Sequence, residues 1–176
     1  SLYNADYINR GGKEKTWTIA SRKTKEALED QFFNGKEDKV DAVGICAYHV
    51  RYKKLVIIKQ FRVPINDYIY EVPAGLVDKG DKDILESVKR ELKEETGAVD
   101  FNIKPVCVYS VKGKTRVNEN AAKESFGMLY AAEIFSFEEI HSEIEKIVLS
   151  DDLIRQWTYP LIQPKLISEA KKRGYL

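Results

Sequence analysis

One segment, residues 81–97, constrains the fold and the chemistry of this chain more than any other. Its apolar residues recur at helical spacing and predict an amphipathic helix with one packing face: Ile84, Leu85, Val88 and Leu92. Asp81 or Asp83 can cap the start of this helix, and Gly97 suits the left-handed backbone that often ends one. The sequence therefore predicts a helix with defined ends that packs through one face.

The same helix carries three glutamates along one edge. Glu91, Glu94 and Glu95 stand at i, i+3 and i+4, a spacing that stacks their carboxylates. Like charges at this spacing cost roughly a few tenths of a kcal/mol per pair. A divalent cation such as Mg²⁺, which takes oxygen ligands, would reverse the sign of that cost. The alternative is a solvated acidic face balanced by neighbouring lysines and Arg90, which is common on surface helices.

The exact order of residues favours the metal site. Residues 90–98 read RELKEETGA and resemble the second half of the Nudix hydrolase signature, G-x5-E-x7-R-E-U-x-E-E-x-G-U, in which U is apolar. Asp81 stands where the signature has glutamate, and eight residues rather than seven separate it from Arg90. The resemblance implies that Glu91, Glu94 and Glu95 bind a divalent metal, Mg²⁺ or Mn²⁺. It also implies four structural supports of that site: Gly75, Asp81, Arg90 and Gly97.

Two further segments resemble one branch of that family, the ADP-ribose and nucleoside-diphosphate-sugar pyrophosphatases. Residues 71–75, EVPAG, are similar to its E-x-P-A-G entry, and residues 60–62, QFR, to its Q-[YF]-R strand. The branch pattern implies that the Ala74 carbonyl is a further metal ligand. It also implies that Arg62 grips a phosphate and that Glu71 orients Arg62 or a metal-bound water. The plain alternative for Arg62 is a structural ion pair.

A general base is expected among four glutamates. Glu94 and Glu95 belong to the helix, whereas Glu143 and Glu145 follow a predicted strand, in a region where the branch supplies a glutamate as base or metal ligand. We prefer Glu145 of the latter two, against the alternative of an ordinary surface glutamate. A polar stretch at residues 112–123 offers Arg116, with Asn118 and Glu119, as a substrate contact or as solvated loop.

The first forty residues are expected to lie outside the core. A turn at residues 9–13 leads into an alternating strand, Thr16 to Ser21, which predicts a hairpin. In the branch that this chain resembles, such strands often pack on a second subunit and help to bind the adenine or sugar. Trp17 is therefore expected to fill a dimer interface or to stack on a base. We accordingly predict a homodimer formed through these strands.

The remaining pattern predicts the fold class, an α/β/α sandwich of the Nudix type with a mixed central sheet and extra N-terminal strands. We expect one domain over residues 1–176, with the N-terminal strands and a connecting segment at 1–39 and the core at 40–176. The predicted core strands are 40–49, 55–62, 69–72, 103–111 and 126–134, and further helices are predicted at 151–157 and 160–173.

Composition excludes several other classes of protein. With 29 basic and 28 acidic residues, the net charge of +1 gives no electrostatic basis for binding nucleic acid or membrane. Cys46 and Cys107 are isolated in apolar runs, which favours buried free thiols, and two scattered histidines argue against zinc. No apolar run reaches membrane-spanning length and no signal peptide is evident, so we expect a cytoplasmic protein.

Together, these features predict a metal-dependent hydrolase of a diphosphate bond. The expected substrate is a nucleoside diphosphate derivative, ADP-ribose or a sugar nucleotide, and the expected product is a nucleoside monophosphate. The alternatives are nucleoside triphosphates or dinucleotides as substrates, or a sensor that binds a nucleotide without hydrolysing it.

Overall fold

The computed structural model describes residues 1–21, 23–34, 40–78, 80–112, 124–142, 144–150 and 157–176. The chain forms two compact units, Ser1–Asp38 and Lys39–Leu176. Arg116, Asn118, Glu119 and Glu143, which were predicted to contact substrate or to act as base, lie outside the described residues.

The first unit is a β-hairpin followed by a short helix. Strands β1 (Leu2–Ile8) and β2 (Glu14–Ala20) pair in antiparallel fashion, and helix α1 covers Lys25–Phe33. The Asn9 side chain accepts hydrogen bonds from the backbone N–H of Gly11 and Lys13 at 2.9 and 3.0 Å, and Gly12 has a φ of 73°. The predicted hairpin turn is therefore confirmed.

The second unit is built on one seven-stranded sheet. Its strands are β3 (Ala42–His49), β4 (Lys54–Arg62), β5 (Asp67–Glu71), β6 (Ala74–Leu76), β7 (Ala98–Lys112), β8 (Glu124–Phe137) and β9 (Ile144–Ser150). Strands β3 and β8 pair in parallel, and the other pairings are antiparallel. The predicted mixed sheet is confirmed.

The sheet splits where the predicted metal ligand Ala74 enters it. Strand β3 pairs with β4 only over Ala47–His49, and β5 then continues along β4 while β6 continues along β3. The chain changes partner at Pro73, whose carbonyl accepts a hydrogen bond from the Ile45 N–H at 2.8 Å. Pro73 itself is fully buried. This strand switch fixes the backbone of Ala74 and Gly75 within the sheet.

A helix covers each face of this sheet. Helix α2 (Ile84–Thr96) covers one face, where a cluster includes Val43, Ile45, Val56, Val88, Leu92 and Ile134. Helix α3 (Gln163–Lys172) belongs to a second cluster, which includes Cys46, Leu55, Ile57, Leu129, Trp157 and Leu166. Alternate residues of β3 and β4 enter the two clusters, as the two-residue period of a strand requires. The predicted α/β/α sandwich is confirmed.

Helix α2 has the predicted ends. Asp83 is the cap, with its carboxylate accepting from the Glu86 N–H at 2.8 Å, and Gly97 ends the helix with a φ of 71°. The backbone N–H of Glu138 donates to the Gly97 carbonyl at 2.7 Å, and the Glu138 carbonyl leaves no room for a β-carbon on Gly97. Leu85 was predicted to face the core, but it is 38% exposed. That prediction was wrong because the residues that α2 buries form a narrower stripe than its apolar residues do.

Four other elements differ from the predictions. Strands β7 and β8 are longer than expected because register shifts near Asp100 and Pro105 absorb residues that would otherwise break the pairing. Strand β9 was not predicted, and α3 begins at Gln163 rather than Pro160. Of the helix predicted at 151–157, only Trp157 is described. None of the helices in the described parts of the chain is long and apolar enough to cross a membrane.

Candidate active site

Helix α2 and strand β6 are joined by two hydrogen bonds and one close steric contact. The Glu95 carboxylate accepts a hydrogen bond from the Ala74 N–H at 2.9 Å. Arg90 donates from Nη2 to the Leu76 carbonyl at 3.2 Å. The Glu91 carboxylate lies against Gly75 so closely that a β-carbon there would overlap it. The structure therefore brings together the two sequence segments that were predicted to form the site.

Arg90 lies at the centre of the acidic residues. Its Nη1 is 2.8 Å from a Glu91 oxygen and 3.5 Å from a Glu94 oxygen. Its Nη2 is 3.2 Å from Asp81 Oδ2 and 3.3 Å from Asp78 Oδ2. Asp81 first, and then Glu91, raise the pKa of Arg90 further above its ordinary value, against the opposing effect of burial. Arg90 is therefore a permanent cation that holds the helix edge and the preceding loop together.

Asp81 anchors that loop. Its Oδ2 accepts hydrogen bonds from the Ser87 hydroxyl at 2.6 Å, the Asp78 N–H at 3.2 Å and Arg90. Ser87 first, and then Arg90, lower the pKa of Asp81 below its ordinary value of 3.8. The participation of Ser87 was missed from the sequence. The available signal was a hydroxyl between Ile84 and Val88, on the side of the helix that faces the core.

The three helix carboxylates have different surroundings. Burial raises the pKa of Glu91, Arg90 opposes that effect, and the negative charges of Glu94 and Asp78 add to it. Glu94 is mostly exposed, with 58% of its side chain accessible. Within the described residues, no three His, Cys, Asp or Glu side chains are grouped closely enough to hold a metal ion. Glu91 and Glu94 contact Arg90, whereas Glu95 accepts a hydrogen bond from the Ala74 N–H.

The donor set nevertheless suits a hard divalent cation. All the candidate ligands are carboxylate or carbonyl oxygens, which is the chemistry that Mg²⁺ and Mn²⁺ prefer. The side chain of Glu91 is only 13% exposed, and its pKa is raised first by burial and then by the negative charges beside it. A divalent cation would relieve the same repulsion.

Arg62 and Glu71 form a second pair on the α2 side of the sheet. Arg62 Nη2 is 3.3 Å from Glu71 Oε1. Glu71 lies opposite Ile58 in the β4–β5 pairing, and its side chain is only 9% exposed, against 46% for Arg62. The predicted orientation of Arg62 by Glu71 is thus compatible with the geometry. With 46% of its side chain exposed, Arg62 is accessible from solvent.

Glu145, the preferred base, lies elsewhere. Its carboxylate is 3.0 Å from Lys59 Nζ, and strand alternation places Lys59 on the face of β4 that carries Ile57 and the α3 cluster. Lys59 also lies over the Tyr68 ring at 3.6 Å. The hydrogen bond from Lys59 is the main reason that the pKa of Glu145 is lowered. Glu145 is thus paired with Lys59, and its role as the base stays a prediction.

Trp17 lies in the first unit, on β2. Its partner across the hairpin is Ala5, and Tyr7 pairs with Lys15 two residues further along, so both pairs fall on the same face. Directly opposed residues point to the same face, so Tyr7 and Trp17 share one side of the hairpin. Both side chains are exposed, Trp17 by 66% and Tyr7 by 46%.

These features define a class of domain: the sandwich, the strand switch and the charged edge of α2. A comparison with known protein families identifies this class. The NUDIX domain model matches residues 38–159, which is most of the chain. This protein therefore belongs to the Nudix family.

Two curated relatives are pyrophosphatases by name. The ADP-ribose pyrophosphatase of Saccharomyces cerevisiae is 38% identical over 96 residues, covering 52% of this chain and 36% of that protein. The ADP-sugar pyrophosphatase of Mus musculus is 31% identical over 94 residues, covering 52% of this chain and 38% of that protein. The matched segments thus span little more than a third of the length of either relative.

Solved structures agree on the fold. The NUDIX domain of Shewanella oneidensis NrtR, solved with ADP ribose, matches with a TM-score of 0.59 and 16% identity over 85% of this chain and 99% of that one. The Bacillus subtilis pyrophosphohydrolase BsRppH matches with a TM-score of 0.60 and 21% identity over 97% of this chain and 98% of that one. At these identities the likeness shows the shared fold.

Proposed function

We propose that this chain hydrolyses the diphosphate bond of a nucleoside diphosphate derivative and releases a nucleoside monophosphate. ADP-ribose and sugar nucleotides are the proposed substrates. The observation that carries the proposal is the junction of α2 with β6, where Glu95 bonds to Ala74 and Glu91 packs on Gly75. The pyrophosphatase names of the two relatives support the substrate class.

Divalent metal binding is part of this proposal. Glu91, Glu94, Glu95 and the carbonyl of Ala74 would hold Mg²⁺ or Mn²⁺. When bound, such a cation neutralises phosphate charge and lowers the pKa of a coordinated water. Arg90 lies between the like charges of this edge and reduces their repulsion. It would therefore keep the carboxylates in place to bind the next cation when one leaves.

The general base is proposed to be a carboxylate of α2. Glu94 is the most exposed of the three and lies 3.5 Å from Arg90, whereas Glu95 bonds to a backbone N–H. Glu145 is less suited because Lys59 lowers its pKa and thereby weakens it as a base. Glu143 stays a candidate from the sequence alone.

Substrate contacts are proposed for Arg62. A guanidinium binds phosphate oxygens through two parallel hydrogen bonds, and Arg62 already has one nitrogen held by the buried Glu71. Glu71 would therefore restrict the rotation of Arg62 and present its free edge. Arg116 stays a second candidate from the sequence alone.

We further propose that the hairpin of the first unit packs against a second copy of the chain. The exposed Tyr7 and Trp17 on one face of this hairpin support an interface of that kind. Trp17 could equally stack on the base of the substrate, and both roles fit an exposed indole at such a surface.

The decisive experiment is a hydrolysis screen in Mg²⁺ or Mn²⁺. Its panel would contain ADP-ribose, sugar nucleotides, dinucleotides and nucleoside triphosphates. We expect release of a nucleoside monophosphate that stops when EDTA removes the metal. Glu95→Gln should lower the rate by more than about 100-fold, since Glu95 is itself a proposed ligand and the loss of an outer partner of a ligand alone costs about 10–100-fold.

Glu86→Gln is the matched control. Glu86 lies on the same helix but bonds to the backbone of Lys82 at its N-terminal end. Its rate should stay within about twofold of the wild type, since surface changes away from a site have small effects. Equal losses in both variants would reject the assigned role of Glu95. Silence across the panel, with nucleotide binding intact, would favour the sensor.

A further inference from the structure

Two buried hydroxyls of α2 behave differently. Thr96 donates within the helix, to the carbonyl of Leu92 one turn earlier, at 2.5 Å. Ser87 is also fully buried, but its hydroxyl donates out of the helix to Asp81 Oδ2 at 2.6 Å. A buried serine in a helix commonly bonds back to the preceding turn. The outward bond of Ser87 therefore ties the helix to the loop.

The loop bond continues to the carboxylates. Asp81 Oδ2 accepts hydrogen bonds from the Ser87 hydroxyl and from Nη2 of Arg90. The other terminal nitrogen of Arg90, Nη1, is 2.8 Å from Glu91. With the Leu76 carbonyl, Asp81 fixes the Nη2 side of the guanidinium. Because a guanidinium is planar and rigid, fixing one nitrogen also fixes the direction of the other.

We propose that Ser87 is a positioning residue for the metal site. It acts through Asp81 and Arg90 to set the orientation of Glu91, and it contacts neither metal nor substrate. This inference rests on the proposed function in one respect, that Glu91 is a metal ligand. Partners of this kind are expected to change metal affinity when they are removed, even though they are not ligands.

The test is a Mn²⁺ titration without substrate, in which binding is measured by electron paramagnetic resonance or by calorimetry. We expect Ser87→Ala to weaken Mn²⁺ binding by about tenfold, the lower end of the cost of an outer partner. Ser87→Cys, which keeps the volume but donates poorly, should weaken it in the same direction. Either variant alone decides the question if the other does not fold.

Thr96→Val is the matched control, because it removes a buried hydroxyl from the same helix without touching the chain of bonds to Glu91. It should lower the unfolding temperature, since Thr96 also accepts from the Ala98 N–H at 3.2 Å, but leave Mn²⁺ affinity unchanged. Unchanged affinity in folded Ser87→Ala, or an equal loss in Thr96→Val, would overturn the proposal.

The titration also separates this inference from the proposed hydrolysis. If the wild type binds Mn²⁺ but hydrolyses nothing in the panel, the proposed function fails and the role of Ser87 is still decided. If the wild type does not bind Mn²⁺, both fail.

Discussion

Gly75 and Gly127 lie on opposite faces of the same sheet, and neither has room for a β-carbon. At Gly75, opposite Val43 on the α2 side, the space is filled by the carboxylate of Glu91. At Gly127, on the α3 side, it is filled by the ring of Tyr109. One glycine therefore admits a charged group to a half-buried position, and the other admits an aromatic ring to the core.

This difference shows that close packing serves two purposes in one sheet. Tyr109 gains stability from apolar contact, since it packs against the α3 cluster. Glu91 gains none from burial, because burial raises its pKa and penalises its charge. Under the proposed function, a bound cation would offset this penalty together with Arg90, which is 2.8 Å from Glu91.

Gly75→Ala should have the largest effect. The new methyl group must displace the end of the Glu91 side chain, which is flexible, so the domain should stay folded while the carboxylate moves. A displacement of about 1 Å at a reacting centre can cost about 100-fold in rate. We expect a loss of that size in hydrolysis and a weaker Mn²⁺ affinity. Wild-type rates in Gly75→Ala would break the comparison.

Gly127→Ala is the matched substitution on the other face. Its methyl group must displace the ring of Tyr109, and overpacking of this kind costs about 1–3 kcal/mol. We expect that loss in the free energy of unfolding, measured by urea denaturation, with Mn²⁺ affinity unchanged. If Gly127→Ala alters metal binding as much as Gly75→Ala does, the two faces are not independent.

The pH dependence of stability should give the smallest effect. Asp81 has a lowered pKa, so its charge stabilises the fold above its ordinary value of 3.8, and this contribution disappears as the pH falls through the folded pKa. Asp81→Asn should therefore be less stable than the wild type at pH 7. We expect the gap to narrow below pH 3.8.

Glu145→Gln supplies the counterpart on the opposite face. Glu145 also has a lowered pKa, but its side chain is 42% exposed, against 10% for Asp81. Its stability gap at pH 7 should be smaller because solvent screens the Lys59 pair. Urea titrations of both variants from pH 7 to pH 3 measure the two gaps. A larger gap for Glu145→Gln would contradict the ranking.

The parts of the site that depend on local order could be predicted. Helical spacing gave the carboxylate edge of α2, and the left-handed Gly97 followed from its place after Thr96. The switch at Pro73 lay in a segment that was identified as part of the site. The helix edge and its end are determined within a few residues of sequence, whereas the switch at Pro73 depends on pairing with β3 and β4.

The parts that depend on long-range register could not be predicted. Whether Glu145 faces α2 or α3 is decided by a register shift between Lys59 and Gln60 in the β4–β9 pairing. A shift of one residue reverses the face of a side chain, and nothing in the sequence around Glu145 marks it. The bond from Ser87 to Asp81 was missed for a related reason, because a buried serine in a helix has several acceptors within reach.

The parallel pairing of β3 with β8 has a consequence for folding during synthesis. Ala42 lies opposite Gly127, and these partners are 85 residues apart in the chain (127 minus 42). At synthesis rates of about 5–20 residues per second, one edge of β3 stays unpaired for roughly 4 to 17 seconds, from its own synthesis to that of β8. An unpaired strand edge is a template for wrong pairing. Helix α2, in contrast, begins at Ile84, soon after β6 ends at Leu76, so the contacts between them can form before β8 has been made.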